Sequence, residues 1–92
     1  RGAFEYQGQK CSAASRAYIP RSLWDGGVRD RLVAATESLE YGDVADFGNF
    51  GGAVIDERAF RRLSAVLDRV AGSDVATILA GGSADGSTGW FV

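Results

Sequence analysis

The clearest hydrophobic pattern in the chain lies between residues 56 and 72, and it predicts a helix. Apolar residues recur there at intervals of three and four, which places them on one helical face. Asp56 is expected to cap the first turn, and Gly72 is expected to end the helix after Ala71 in a left-handed conformation. The apolar stripe consists of Phe60, Leu63, Val66, Leu67 and Val70.

Arginines occupy the opposite face of this predicted helix. Two acids, Glu57 and Asp68, lie among them and offset their charge. A solvated surface is therefore favoured over a phosphate-binding site. The arginines are Arg58, Arg61, Arg62 and Arg69.

A looser apolar pattern predicts a second helix from Ser22 to about Ser38. The hydroxyl of Ser22 can cap its first turn, and Asp25 follows three residues later, as in a capping box. Gly26 and Gly27 are expected to weaken the early turns, because glycine lowers helix stability.

Three short apolar segments predict β-strands. Residues 16–19 form the first, which Pro20 closes; residues 75–80 form a buried strand, and residues 90–92 begin another. Helices among strands indicate the α/β class, but so few elements make a poor self-contained core. We therefore expect an α/β chain that is a piece of a longer protein.

The connection over residues 39–55 is long for a compact domain, which is typical of a functional or packed loop. Phe47 and Phe50 are expected to anchor it to an apolar surface. Two segments, 48–52 and 81–86, are rich in glycine. Neither joins a strand to a helix as the dinucleotide-binding fingerprint requires, so both are predicted to be turns.

The composition of the chain argues against several classes of partner and of catalytic or metal site. Its 92 residues are 46% hydrophobic and 24% charged, which is typical of a globular protein. The net charge of -2 argues against a nucleic-acid partner. No apolar run reaches membrane-spanning length, so no membrane partner is expected. With no histidine and one cysteine, the chain can form neither a histidine-based catalytic triad, nor a disulfide, nor a zinc site rich in cysteine. No metal site is expected.

The single cysteine, Cys11, has an unusual setting. A lone cysteine is most often a small buried hydrophobic residue. However, the adjacent Lys10 favours a thiolate, and the small residues 12–15 are predicted to start a helix whose amino end would stabilise an anion. Backbone N–H groups there could hold an oxyanion, and Gly8 leaves room for a substrate. A general base would lie outside the chain, or be a carboxylate or water.

The segment around Cys11 resembles the catalytic-cysteine signature of the aldehyde dehydrogenase superfamily. An aromatic residue precedes Gly8 and Gln9, one variable residue separates them from Cys11, and Arg16 follows five positions later. The Gly-Asp turn near residue 42, the Gly-Gly turn near residue 81 and the segment ending the chain also resemble the family. The resemblance covers essentially all 92 residues. It departs at Val44, a turn position where the family commonly has proline.

The resemblance implies that residues 1–92 are a fragment of the catalytic, thiol-nucleophile domain, whose three-layer α/β/α fold is incomplete in this chain alone. The NAD-binding and oligomerisation domains would lie outside the chain, so none of its residues is expected to bind the cofactor NAD. The implied partners are an aldehyde, the rest of the parent chain and further copies of a homo-oligomeric parent. The isolated piece is not expected to be active.

Within the superfamily, residues 4–6 and 46–56 resemble the branch that oxidises L-glutamate γ-semialdehyde to L-glutamate in proline catabolism. The resemblance implies that Cys11 attacks the aldehyde, that NAD⁺ takes the hydride from the thiohemiacetal, and that water hydrolyses the thioester. It implies an oxyanion contact for the amide of Cys11. Ser12 would help to hold the substrate carboxylate, and Lys10 would add positive charge.

Three alternatives remain open from the sequence. The substrate could be a different aldehyde; the chain could be a non-catalytic α/β fragment with an inert Cys11; and Ser12 could serve only to cap a helix. A bacterial parent would place the protein in the cytoplasm, and a eukaryotic parent in the mitochondrial matrix.

Overall fold

The computed structural model describes residues 1–92 and contains helices joined by irregular segments. Helix α1 (Arg21–Leu23), a π-helical turn (Trp24–Val28) and helix α2 (Arg29–Glu37) follow one another without a break. Helix α3 (Glu57–Ala71) comes after the long connection, and a short 3-10 turn (Glu5–Gly8) precedes all of them. The helical elements therefore form two groups, separated by residues 38–56.

Helix α3 agrees with its prediction at the start and differs at the end. The carboxylate of Asp56 accepts a hydrogen bond from the backbone N–H of Ala59 at 2.7 Å, which confirms the cap. The apolar stripe is half-buried and the outer arginines are exposed, with Arg61 paired to Glu57. Gly72 has φ −90° and ψ 10°, so the predicted left-handed stop is wrong. The last turn instead ends on a hydrogen bond from the Gly72 N–H to the Asp68 carbonyl.

The cap of α3 yields a first prediction. Replacing Asp56 with alanine is expected to weaken the first turn by about 1 kcal/mol, because the N–H of Ala59 loses its acceptor. Exchange of the first-turn amides should become about fivefold faster, measured by hydrogen–deuterium exchange on the intact protein. Asp56→Asn keeps an acceptor and should exchange like the parent. Equal acceleration in both variants would contradict the role of the cap.

The first helical group begins at a different residue from the predicted one, whereas its interruption at the glycines and its end agree with the prediction. The helix starts at Arg21, and the Pro20 carbonyl accepts the N–H groups of Leu23 and Trp24, each at 3.0 Å. Ser22 lies inside the first turn and forms no cap, so that prediction is wrong. The expected weakness at the glycines is present, because Gly27 has φ 110° within the π-helical turn. The end at Glu37 matches the predicted end near residue 38.

The three predicted strands are absent, so the predicted α/β class is not met within this chain. The only β-type pairings are single bridges, parallel between Tyr41 and Gly51 and antiparallel between Asp85 and Phe91. A strand exists only where a neighbouring strand pairs with its backbone N–H and C=O groups. Residues 16–19 and 75–80 have no such neighbour, and Val75 is 96% exposed where a buried strand was predicted.

A small apolar centre joins α3 to the segments around it. Val54 is 4% exposed and is the one buried apolar side chain. Its backbone N–H donates to the Trp90 carbonyl at 2.8 Å, and the Trp90 ring packs against Phe60 of α3 with centroids 5.3 Å apart. The backbone before α3 is therefore held between the helix and the end of the chain.

The long connection is anchored by one of its two phenylalanines. Phe50 packs edge-on against Tyr41 with ring centroids 6.1 Å apart. Phe47 is 99% exposed, so its predicted anchoring role is wrong within this chain. Gly51 lies between these aromatic rings and the amino-terminal turn. A Cβ added to Gly51 would lie 2.7 Å from the Tyr41 ring, so no larger residue fits there.

Candidate active site around Cys11

Cys11 lies in an exposed turn rather than at the start of a helix. The backbone N–H of Ala13 donates to the Lys10 carbonyl at 3.1 Å and closes this turn. The prediction that residues 12–15 start a helix is wrong: the next helix begins at Arg21, and no helical residues follow 12–15 to offset the cost of nucleation. The expected stabilisation of a thiolate by a helix amino end therefore does not apply. Cys11 is exposed, so the interpretation of a lone cysteine as a small buried residue is wrong here.

A left-handed turn sets the direction of the chain before Cys11. Tyr6, Gln7 and Gly8 have φ values of 52°, 58° and 67°. The left-handed conformation costs roughly 1–2 kcal/mol for each residue that carries a Cβ. A Cβ on Gly8 would also lie 3.1 Å from the Ala3 carbonyl oxygen. Glycine is thus required at this position by backbone conformation, whereas the sequence suggested room for a substrate.

Lys10 directs its charge toward Glu5. Its ammonium nitrogen lies 2.7 Å from Glu5 Oε2 and 4.8 Å from the centre of the Tyr6 ring. It makes no hydrogen bond to Cys11. This ion pair spans the left-handed turn and helps to keep it closed, so Lys10 has a structural role that the sequence did not indicate.

The hydrogen bond and the positive charge of Lys10 hold the pKa of Glu5 below its ordinary value of 4.5. Because the folded-state pKa is depressed, the pair stabilises the turn fully above pH 4.5, and this stabilisation is lost as the pH falls through the folded-state pKa. Ionised Glu5 is therefore part of the turn near neutral pH.

A substitution at Lys10 tests this pair. Lys10→Met is expected to raise the pKa of Glu5 toward 4.5, because the largest causes of its depression disappear. Carbon-13 NMR titration of labelled glutamate, with the Glu5 signal assigned through Glu5→Gln, measures the shift. Arg1→Met is the control and should move the pKa less, since Arg1 lies 3.7 Å from the carboxylate. An unchanged midpoint in Lys10→Met would refute the pairing.

The groups beside the thiol have unused hydrogen-bonding capacity. The hydroxyl of Ser12 makes no hydrogen bond to the protein, and no helix follows for it to cap. The backbone N–H groups of Cys11 and Ser12 likewise donate to no other group in the chain. An exposed thiol with adjacent unpaired donors can attack a carbonyl carbon and hold the resulting oxyanion.

Two glutamines tie the turn before Cys11 to the segment before α3, a link that the sequence analysis missed. Gln9 Oε1 accepts a hydrogen bond from the Ile55 N–H at 3.0 Å, across 46 residues of chain. Gln7, with its amide oxygen facing Gly52, accepts the N–H of that glycine at 2.6 Å. Nothing in the local sequence signals these contacts, because both partners lie far along the chain.

A shallow groove of about 660 Å³ lies next to the thiol-bearing turn and is lined by Tyr6, Gln9, Lys10 and Ile55. The glycine-rich segment 81–86 does not fit a dinucleotide. Gly81 and Gly82 have positive φ values, and no helix amino end follows them to receive a pyrophosphate. No group of three or more His, Cys, Asp or Glu side chains is placed to hold a metal ion. None of the helices has the length and apolar character needed to cross a membrane.

Comparison with known proteins shows which family the chain resembles. The aldehyde dehydrogenase family model matches residues 1–92. The chain is 51% identical to the mitochondrial delta-1-pyrroline-5-carboxylate dehydrogenase of Dictyostelium discoideum and 50% identical to that of Homo sapiens. Each match covers all of this chain and 16% of the relative, so the chain spans about one sixth of their length.

Solved structures give the same result. The delta-pyrroline-5-carboxylate dehydrogenase of Mycobacterium tuberculosis, bound with NAD and cobalamin, is 49% identical and superposes with a TM-score of 0.94. That match covers all of this chain and 17% of the solved chain. The irregular segments and helices described above are thus a piece of the same fold. The chain belongs to the aldehyde dehydrogenase family.

Proposed function

We propose that the protein containing this chain oxidises L-glutamate γ-semialdehyde, the open form of delta-1-pyrroline-5-carboxylate, to L-glutamate with NAD⁺. The observation that carries the proposal is Cys11, exposed on the family's signature segment with unpaired N–H donors beside it. Relatives named delta-1-pyrroline-5-carboxylate dehydrogenase are 45–51% identical over the whole chain, which supports the choice of substrate.

The residues of this chain act in the covalent steps. The thiol of Cys11 gives up its proton to water or to a base, and its sulfur forms a bond to the aldehyde carbon as the C=O π bond breaks. The carbonyl oxygen becomes an oxyanion that the Cys11 N–H stabilises. NAD⁺, held by residues outside this chain, supplies the hydride acceptor that turns the thiohemiacetal into a thioester. Water then cleaves the thioester, which releases L-glutamate and regenerates the thiol. The chain has no histidine, so the base that activates this water is a carboxylate, another water or a group outside the chain.

Ser12 and Lys10 bind the carboxylate of the substrate in this proposal. The hydroxyl of Ser12 is exposed and unpaired, so it can donate to an incoming carboxylate without losing an existing bond. Lys10 is already paired with Glu5, which offsets most of its charge, so it adds only a weak attraction for the carboxylate. Of the two, Ser12 is therefore the direct ligand.

The remaining features of the proposal concern the parent protein. Residues 1–92 form part of its catalytic domain, a three-layer α/β/α fold in which segments 16–19 and 75–80 pair with strands outside the chain. NAD-binding and oligomerisation domains complete a homo-oligomer, and the isolated piece is inactive. Eukaryotic relatives are named mitochondrial, which supports the mitochondrial matrix for a eukaryotic parent and the cytoplasm for a bacterial one.

The test is a substrate comparison with the purified full-length protein. NADH formation is followed with delta-1-pyrroline-5-carboxylate and, in parallel, with propanal. The expected kcat/KM is at least about a hundredfold higher for the first substrate, because only it carries a carboxylate for Ser12. Equal values would point to an aldehyde dehydrogenase with another substrate, and no NADH from either would support the inert-cysteine alternative.

A further inference from the structure

Gln9 holds the turn before Cys11 through both ends of its side-chain amide. Its oxygen accepts from the Ile55 N–H at 3.0 Å, and its nitrogen donates to the Tyr6 carbonyl at 3.2 Å. The backbone N–H of Gln9 donates to the same carbonyl at 3.0 Å. One residue therefore closes the left-handed turn and joins it to a distant segment.

The turn needs restraint of this kind. Tyr6 and Gln7 are both in the left-handed region, which disfavours residues that carry a Cβ. A strained backbone conformation persists only where surrounding contacts stabilise it by more than the strain costs. The ion pair between Lys10 and Glu5 is one such contact, but both of its members belong to the turn itself. It closes the turn without fixing the turn's place relative to the rest of the molecule.

The far end of the Gln9 contact is firmly held. Ile55 follows Val54, the buried residue whose N–H bonds to Trp90, and it precedes Asp56, the cap of α3. Gln9 thus connects the strained turn to backbone that is fixed on both sides. Cys11 is two residues beyond Gln9, so its position depends on this connection.

We propose that Gln9 is a positioning residue for Cys11: its hydrogen bond to the Ile55 N–H sets where the thiol stands relative to the aldehyde carbon. This inference rests on the proposed function of Cys11. Gln9 acts through the backbone and does not react with the substrate. Since a displacement of about 1 Å can lower a rate about a hundredfold, the contact acts mainly on kcat. The exposed hydroxyl of Ser12 can rotate to follow the substrate carboxylate after such a displacement, so KM should change little.

The first test is Gln9→Met in the full-length protein, because methionine matches the length of glutamine and forms neither hydrogen bond. The Ile55 amide should exchange about tenfold faster, since it loses its acceptor. The kcat for delta-1-pyrroline-5-carboxylate should fall about ten- to hundredfold, with KM within about twofold of the parent. Glu57→Gln, on the outer face of α3, is the control and should change neither quantity.

A second variant separates the two bonds of the side chain. Gln9→Glu keeps an oxygen that accepts from Ile55 but cannot donate to the Tyr6 carbonyl. Exchange at Ile55 should stay near that of the parent, and kcat should recover at least about tenfold relative to Gln9→Met. Melting temperature and NAD binding check that each variant is folded. If Gln9→Met does not fold, Gln9→Asn takes its place in both measurements, because its amide is one methylene shorter and is not expected to reach the Ile55 N–H.

Three results would overturn the inference: unchanged exchange at Ile55 in Gln9→Met, faster exchange with an unchanged kcat, or equal kcat losses in both variants. The exchange measurement needs no substrate, so it remains decisive if the full-length protein does not oxidise delta-1-pyrroline-5-carboxylate. If the protein oxidises propanal instead, only the proposed substrate is overturned. The kcat comparison would then be made with propanal.

Discussion

Replacing Cys11 with alanine is expected to lower kcat/KM of the full-length protein by at least about 10⁴-fold. The substitution removes the atom that bonds to the aldehyde carbon, and losses of this size are typical when a covalent nucleophile is deleted. Because Cys11 is exposed in a turn closed by backbone hydrogen bonds, the change creates no cavity and should leave the fold intact. The measurement is NADH formation from delta-1-pyrroline-5-carboxylate at saturating NAD⁺.

Two comparisons sharpen this experiment. Cys11→Ser keeps the shape but presents a hydroxyl without an identified base, so it should be nearly as inactive as Cys11→Ala. NAD binding, measured by calorimetry, should be unchanged in both variants because, in the proposed function, residues outside this chain hold the cofactor. A variant that kept more than about one hundredth of the activity would remove Cys11 from the role of nucleophile.

Replacing Ser12 with alanine is expected to lower kcat/KM for delta-1-pyrroline-5-carboxylate about ten- to hundredfold. A hydrogen bond to a charged group contributes about 1.5–3 kcal/mol, and the hydroxyl of Ser12 has no protein partner that would otherwise use it. Propanal has no carboxylate, so its kcat/KM should change less than about threefold in the same variant. Parallel steady-state assays with the two aldehydes measure this difference in selectivity.

Matched variants make the Ser12 result specific. Ser15→Ala deletes another exposed hydroxyl in the same segment, three residues further on, and should leave both substrates unaffected. Ser12→Thr keeps the hydroxyl and should retain most of the activity. Equal losses for both aldehydes in Ser12→Ala would show that the hydroxyl supports the thiol or the turn rather than the substrate carboxylate.

The sequence predicted those parts of the fold whose causes are local. Helix α3 is determined by an apolar stripe and by the cap at Asp56, and both lie within the helix or next to it. The segment 75–80 has the composition of a buried strand, but no other segment of this chain pairs with it, so the apolar pattern alone could not make it a strand. The prediction that residues 12–15 start a helix was wrong because their composition favours a helix, but too few helical residues are present there to offset the cost of nucleation.

In the candidate site, too, the sequence predicted what has a local cause and missed what depends on the fold. Cys11 and Ser12 were identified because the family signature is a short, contiguous motif. The pairing of Lys10 with Glu5 was missed, since it depends on the left-handed turn that brings residues five apart together. The contact between Gln9 and Ile55 was missed for a similar reason, because a single polar contact across 46 residues produces no recognisable pattern in the sequence.

That same contact constrains the order in which the molecule assembles. Joining residues 46 positions apart costs roughly 3 kcal/mol of loop-closure entropy from the length dependence alone, so the bond forms only when other interactions have already brought the two segments together. Helices α2 and α3 rely on neighbouring residues and can form earlier. A nascent chain therefore carries the turn with Cys11 unattached to the rest of the molecule until residues beyond Ile55 have folded, and Cys11 reaches its final position as a late event of folding.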